Sequence, residues 1–130
     1  PPPQPPSPFM RSAGGHVHIE TNKNPFQVVR NCDLFLGVPA TLMDNGEMRK
    51  QLYGKAGACR PKPYGVEYRT LSNFWIFQDR LIEWVWRNTE RALNSDVDVA
   101  ALSERILRSI NNNDKKEAEK LVNEFNLEVI

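Results

Sequence analysis

The chain's two histidines, His16 and His18, lie two residues apart in the stretch GGHVHIE, with Glu20 two residues further on. Successive side chains of a strand point to opposite faces, so a strand here puts His16, His18 and Glu20 on one face and Val17 and Ile19 on the other. A second stretch, VEYRTL, alternates in the same way. It sets Glu67 and Arg69 on one face and Val66, Tyr68 and Thr70 on the other. The segment between them carries Arg49, Lys55, Arg60 and Lys62. If the two strands share a sheet with their polar faces together, imidazole and carboxylate can hold a divalent ion while guanidinium and ammonium groups hold phosphates. Mg²⁺ prefers oxygen ligands and is commonly bound through one or two carboxylates plus substrate phosphates. Imidazole suits Mn²⁺ or Zn²⁺ better. Arginine grips carboxylate and phosphate oxygens with two parallel hydrogen bonds. Together these groups point to phosphoryl chemistry on an acid substrate.

Each residue also has a plainer reading. The His-Glu face could be the solvated outer side of a half-buried strand. Lys55, Arg60 and Lys62, taken singly, read as solvated loop charges. Arg69 could be a cross-strand partner of a carboxylate. A zinc site from His16, His18 and Cys59 is conceivable, but the Cys-x-x-Cys type of spacing is absent.

These two strands need a scaffold. TNKNP after Glu20 is turn chemistry. From Pro25, PFQVVRNCDLFLGVP has the apolar spacing of a helix, with Pro25 in its first turn and Gly37 and Pro39 ending or interrupting it. One or two helical turns are expected around Asp44-Asn45-Gly46, and KAGACRPKPYG reads as a loop. From Ile76 the pattern becomes helical, with Phe77, Leu81, Trp84, Val85, Asn88 and Ala92 near one side, widened by Ile82 and Trp86. Trp84 and Trp86 are expected in the core. Ser95 and Asp98 read as a capping box opening a second helix to about Ile110. A last helix follows the NNND break, with Ala118, Leu121, Val122 and Phe125 inward.

A length of 130 residues suits one domain of ordinary size. Forty per cent hydrophobic and 25% charged residues favour a folded chain. The net charge of +1 gives no global field for nucleic acid, and Arg80, Arg87 and Arg91 alternate with Asp79, Glu83 and Glu90 as on a solvated helix face. Two cysteines, Cys32 and Cys59, suit a reducing cytoplasm rather than a disulfide framework. No apolar run approaches the roughly 20 residues of a membrane span. The opening PPPQPPSPF favours an extended polyproline conformation. Residues 1–10 therefore read as a connector, and the chain as the C-terminal part of a longer protein.

RSAGGHVHIE followed by LYGKAGACRPKPYGVEYRTLSNFW resembles the phage-encoded carboxylate–amine ligases, a branch of the glutamine synthetase and glutamate–cysteine ligase superfamily. GGHVHI is similar to that superfamily's Gly-x-His-x-His strand and VEYR to its Glu-x-Arg strand. The likeness covers residues 11–76, and residues 77–130 share only helical character. It implies an α+β fold, part of a glutamine-synthetase-like antiparallel sheet backed by helices. It also implies ATP with Mg²⁺ or Mn²⁺, and transfer of the γ-phosphoryl group to a small-molecule or peptide carboxylate, followed by attack of an amine. His16 and Glu67 would then be metal ligands, His18 an ATP-phosphate contact, and Arg69 the group holding the phosphoryl or substrate carboxylate. Lys55 and Arg60 would contact phosphate. The superfamily's other metal ligands come from strands upstream of His-x-His. An N-terminal region of the same protein is thus an expected partner, and the chain alone should bind Mg·ATP weakly and not turn over. A homo-oligomer is compatible with the resemblance. A rival reading is a non-catalytic interaction or structural module derived from such a ligase.

Overall fold

The computed structural model describes residues 3–43, 55–71 and 74–130. The turns expected around Asp44-Asn45-Gly46, and Arg49, lie outside the described residues. Strands β1 (Met10–Ala13), β2 (His16–Glu20), β3 (Cys59–Lys62) and β4 (Gly65–Tyr68) form an antiparallel sheet in the order β1-β2-β4-β3. The fold is α+β, as the resemblance implies.

Two tight turns set the register. Gly14 and Gly15 have φ of 58° and 85°, the positive values that a two-residue hairpin turn of matching twist requires, and they fold β1 onto β2. Gly65 opens β4 at φ 156°, where a Cβ would lie 2.1 Å from the Ile19 carbonyl oxygen. Only glycine fits so close to a neighbouring backbone. Arg11, His18, Glu67 and Arg60 consequently stand side by side across the four strands. Met10, Ile19 and Val66 form the adjacent row on the opposite face, where all three are buried.

Two strands were not apparent in the sequence pattern. Residues 59–62, expected in a loop, form β3. Its Pro61 cannot donate to a ladder, but β3 lies at the sheet edge, where proline is tolerated. β1 is short and its Arg11, Ser12 and Ala13 are all exposed, so it shows no apolar alternation. Met10, at the end of the proline-rich stretch, is its buried first residue. The Glu20 amide donates to the Phe9 carbonyl (2.7 Å), extending the ladder by one step.

Helices cover the apolar face. Helix α1 (Pro25–Cys32) is capped by Asn24, whose side chain accepts from the amides of Phe26 and Gln27. It runs through a π-helical turn (Asp33–Gly37) into α2 (Val38–Leu42). Gly37 and Pro39 thus interrupt the α pattern without ending the helix. The Val38 amide reaches back five residues to the Asp33 carbonyl, and the widened turn accommodates a proline that has no amide proton to give.

Helix α3 (Asp79–Asn94) buries Leu81, Ile82, Trp84, Val85, Trp86, Asn88, Thr89 and Ala92. Both tryptophans lie in the core, as their spacing suggests. Phe77, expected to face inward, is exposed because α3 starts two residues later and Phe77 lies in the preceding turn. The expected Ser95–Asp98 box also resolves differently. Ser95 Oγ accepts from the Val97 amide (3.1 Å), while Asp98 caps a 3₁₀ turn (Val99–Leu102) through the Ala101 amide. Helix α4 (Ser103–Asn111) follows that turn. Helix α5 (Lys115–Phe125) is capped by Asp114 and stops at Asn126, which is left-handed at φ 53°. Among the described residues, no helix is long and apolar enough to cross a membrane.

Candidate active site

The polar face of the sheet has Glu67 at its centre. β4 is an inner strand, flanked by β2 and β3, so the Glu67 side chain is surrounded and only 8% exposed. Its two oxygens face different chemistry. Oε1 lies 3.1 Å from His18 Nε2 and 3.8 Å from His16 Nδ1. Oε2 takes a 2.7 Å hydrogen bond from Arg69 Nη1 and lies 3.9 Å from Arg60 Nε. Two imidazoles therefore converge on one oxygen and two guanidinium groups on the other. The strand register explains it directly: His18 and Arg60 are the cross-strand partners of Glu67, and His16 and Arg69 lie one step along the same face.

Electrostatics follow from this crowding. Burial alone would push the Glu67 carboxyl up. The Arg69 hydrogen bond and the charges of His18, Arg69 and His16 outweigh it and hold the carboxyl below its ordinary value. Both histidines are lowered, so the neutral, ligating form is favoured. For His16 the causes are desolvation and then the Arg69 charge. For His18 they are desolvation, opposed by Glu67, with Arg11 and Lys62 adding to the lowering. His18 Nε2 is buried and makes no hydrogen bond, although Glu67 Oε1 is only 3.1 Å away. An orphaned imidazole nitrogen beside a carboxylate oxygen is the donor pair that a divalent cation accepts. Among the described residues, no three His, Cys, Asp or Glu side chains are grouped to hold a metal ion by themselves. A cation here would take its other ligands from substrate oxygens and water, as Mg²⁺ commonly does.

The structure brings four of the sequence-derived candidates, His16, His18, Arg60 and Arg69, around Glu67. His18 is the nearer and more buried imidazole, with 12% of its side chain exposed against 29% for His16. Arg69 is occupied by Glu67 rather than standing free. Lys55 is exposed in the turn before β3, where its carbonyl accepts from Thr70 Oγ1 (2.8 Å). Among the described residues its ammonium makes no ion pair. Cys59 pairs with Tyr68 in register and packs against the core on the opposite face. A zinc site from His16, His18 and Cys59 is therefore not formed.

Three residues had no assigned role in the sequence pattern. Arg11 is the cross-strand partner of His18, which the Gly14-Gly15 hairpin signal could have indicated. Tyr64, in the β3–β4 turn, places its hydroxyl 2.9 Å from His18 Nδ1. With Pro8, Phe9, Arg11, His18 and Glu20 it lines a cavity of about 350 Å³ beside the cluster. On the helical side, Asp33 is buried and accepts from the Tyr68 hydroxyl (2.7 Å), holding the π-helical turn to β4.

A helix-backed antiparallel sheet with a buried carboxylate between imidazoles and guanidinium groups defines an α+β protein whose site is built on the open face of its sheet. The chain belongs to the phage phiEco32-like COOH·NH2 ligase-type 2 family, whose model matches residues 5–90. That span contains all four strands, α1, α2 and most of α3, and hence every residue of the cluster. No curated protein and no solved structure matches the chain.

Proposed function

We propose that this member of the carboxylate–amine ligase family works with ATP through an acyl phosphate. A substrate carboxylate oxygen attacks the γ-phosphorus, the bond to the β-bridging oxygen breaks, and ADP leaves. The amine nitrogen then attacks the acyl carbon, phosphate departs with the C–O electrons, and the amine gives up a proton to solvent. Such transfers depend chiefly on positioning and charge neutralisation. The observation that carries the reading is the buried Glu67, with Oε1 toward two imidazoles and Oε2 toward two guanidinium groups.

Glu67 Oε1 and His18 Nε2, with His16 alongside, would hold Mg²⁺ or Mn²⁺, which gives His18 the ligand role that the resemblance assigns to His16, because His18 Nε2 is the nearer nitrogen and is buried without a hydrogen bond. That ion supplies charge neutralisation for the transferring phosphoryl group. Arg69 fixes the Glu67 carboxylate through Oε2 and keeps Oε1 directed at the histidines. Arg60, more than half exposed, has a guanidinium available for phosphate or substrate carboxylate oxygens. Lys55 is set apart from this cluster: its neighbours Ala56 and Gly57 line the cavity beside Asp33 on the helical side, so the phosphate role that the resemblance implies for it has no support in its position.

Isotopic labelling tests this. With the chain joined to the N-terminal region that the resemblance implies, amino acids labelled with ¹⁸O in the carboxylate serve as acids, hydroxylamine as the amine, with ATP and Mg²⁺. The expected result is ¹⁸O in the released phosphate, equal in amount to hydroxamate and lost with Glu67→Gln. Unlabelled phosphate alongside hydroxamate would overturn the acyl-phosphate route. Absence of any ADP would favour a non-catalytic module that keeps the sheet.

A further inference from the structure

His18 has a partner on each ring nitrogen. Nδ1 lies 2.9 Å from the Tyr64 hydroxyl, and the buried Nε2 lies 3.1 Å from Glu67 Oε1 without making a hydrogen bond to it. A neutral imidazole carries one proton, on one nitrogen or the other. With the proton on Nε2, the N–H lies beside the carboxylate without pointing at it, and Nδ1 accepts from the Tyr64 O–H. With the proton on Nδ1, the ring donates to the Tyr64 oxygen and leaves an Nε2 lone pair beside Glu67 Oε1, free to ligate. Two lone pairs at that distance repel unless a cation sits between them. A hydroxyl both donates and accepts, so Tyr64 can partner either form.

The other side of Tyr64 faces a cavity. The Arg11 guanidinium lies over the Tyr64 ring, 5.5 Å from its centroid, and Arg11 Nη2 is 3.5 Å from the hydroxyl. Arg11, Tyr64 and His18 line the same 350 Å³ cavity, with the exposed Glu20 carboxylate at its wall. Among the described residues, Arg11 forms no ion pair.

We propose that Tyr64 couples cation binding at Glu67 and His18 to oxyanion binding beside Arg11 by reversing its hydrogen bond with His18. The inference rests on the cation reading given above. When Nε2 becomes a ligand, its proton is lost to solvent and Nδ1 gains one. The ring stays neutral and the net proton count is unchanged. Nδ1–H then donates to the Tyr64 oxygen, and the Tyr64 O–H, released from His18, donates into the cavity beside the Arg11 guanidinium. The ligand is an oxyanion, either a phosphate group or a carboxylate. By linkage, the oxyanion strengthens cation binding by the same factor as the cation strengthens oxyanion binding. One hydrogen bond to a charged group corresponds to about tenfold or more in affinity.

Long-range ¹H–¹⁵N spectra of the 130-residue chain distinguish protonated from unprotonated ring nitrogens. Mg²⁺ should move the His18 proton from Nε2 to Nδ1. Titrations with inorganic phosphate and with acetate, each with and without Mg²⁺, then identify which oxyanion the cavity takes. That oxyanion should bind about tenfold more tightly with Mg²⁺. In Tyr64→Phe the enhancement should shrink to what cation–anion attraction alone gives. In Arg11→Gln the oxyanion should weaken with and without Mg²⁺ while the His18 proton still moves. A full enhancement in Tyr64→Phe, or Mg²⁺ binding without proton movement, would overturn the coupling and leave the cation site standing. No response of His18 to Mg²⁺ would overturn the cation site and the coupling together.

Discussion

Asp33 should make this protein lose stability as pH rises toward neutrality. Burial pushes its carboxyl up from the ordinary 3.8 to about 7, against the opposing hydrogen bonds from Tyr68, the Gly57 backbone and Thr70. Cys32 beside it is itself pushed up by burial and stays an uncharged thiol, so it adds no compensating charge. Arg30 reaches only the shared cavity of about 270 Å³. A folded-state value above the unfolded one means that the stability contribution is complete below the unfolded value. It is then lost progressively as pH rises through the folded value. Each pH unit in that interval is worth about 1.4 kcal/mol, so roughly 3 kcal/mol should disappear between pH 5 and pH 7. The two histidines act oppositely. Their lowered values favour folding at higher pH, and the benefit is lost as pH falls below about 6.5. Asp33→Asn isolates the carboxyl. Its side-chain oxygen still accepts from Tyr68, at the cost of about 1 kcal/mol for the Gly57 hydrogen bond. Urea unfolding at half-unit steps from pH 5 to pH 8 should show the wild-type-minus-variant difference falling by roughly 3 kcal/mol. Parallel pH profiles would mean that Asp33 ionises equally in the folded and unfolded chain, contrary to its buried position.

Trp84→Ala should lower stability by roughly 3–5 kcal/mol, since the ring is fully buried and its Nε1 donates to the Glu128 carbonyl (2.8 Å); an unchanged melting curve would place that side of α3 on the surface. Gly65→Ala should cost more than an exposed glycine substitution, because the new Cβ meets the Ile19 carbonyl oxygen. Chemical denaturation should read it, with Gly57→Ala, which meets nothing, as the comparison. In turnover by the chain joined to its expected N-terminal region, Glu67→Gln and His18→Ala should each cause large losses, and the double variant should lose little more than the worse single one. Effects that multiply would mean that the two side chains serve separate steps.

The polar face was legible because its signals are local. His-x-His and Glu-x-Arg each state their own facing, and the antiparallel pairing of β2 with β4 then brings His18 opposite Glu67. What stayed hidden depends on neighbours in space. β3 contains a proline and β1 presents three exposed residues in a row, so neither shows strand alternation. Each is defined by the turn joining it to an inner strand. Arg11 and Tyr64 acquire roles only through that pairing. Asp33 sits in an apolar helical run, where nothing local marks a buried carboxyl, and its partner Tyr68 is 35 positions away. Phe77 illustrates the converse. Its spacing fits the apolar side of α3, but α3 starts after it, and a helical period has no meaning outside the helix.

On the proposed reading, Glu67 anchors a divalent ion which meets the phosphates of ATP. Electron paramagnetic resonance of Mn²⁺ tests it most directly, using the 130-residue chain with ATP, compared with Glu67→Gln. Glutamine keeps the side chain's size and one oxygen for Arg69, so circular dichroism should confirm that the variant folds. At chain concentrations high enough to populate weak binding, the wild-type chain should convert free Mn·ATP signal into a protein-bound signal. Glu67→Gln should weaken that binding by more than about tenfold, the cost of disturbing even an outer partner of a metal ligand. Equal binding by the folded variant and the wild type would contradict the claim, leaving Glu67 as a buried counter-charge for Arg69 and the two histidines.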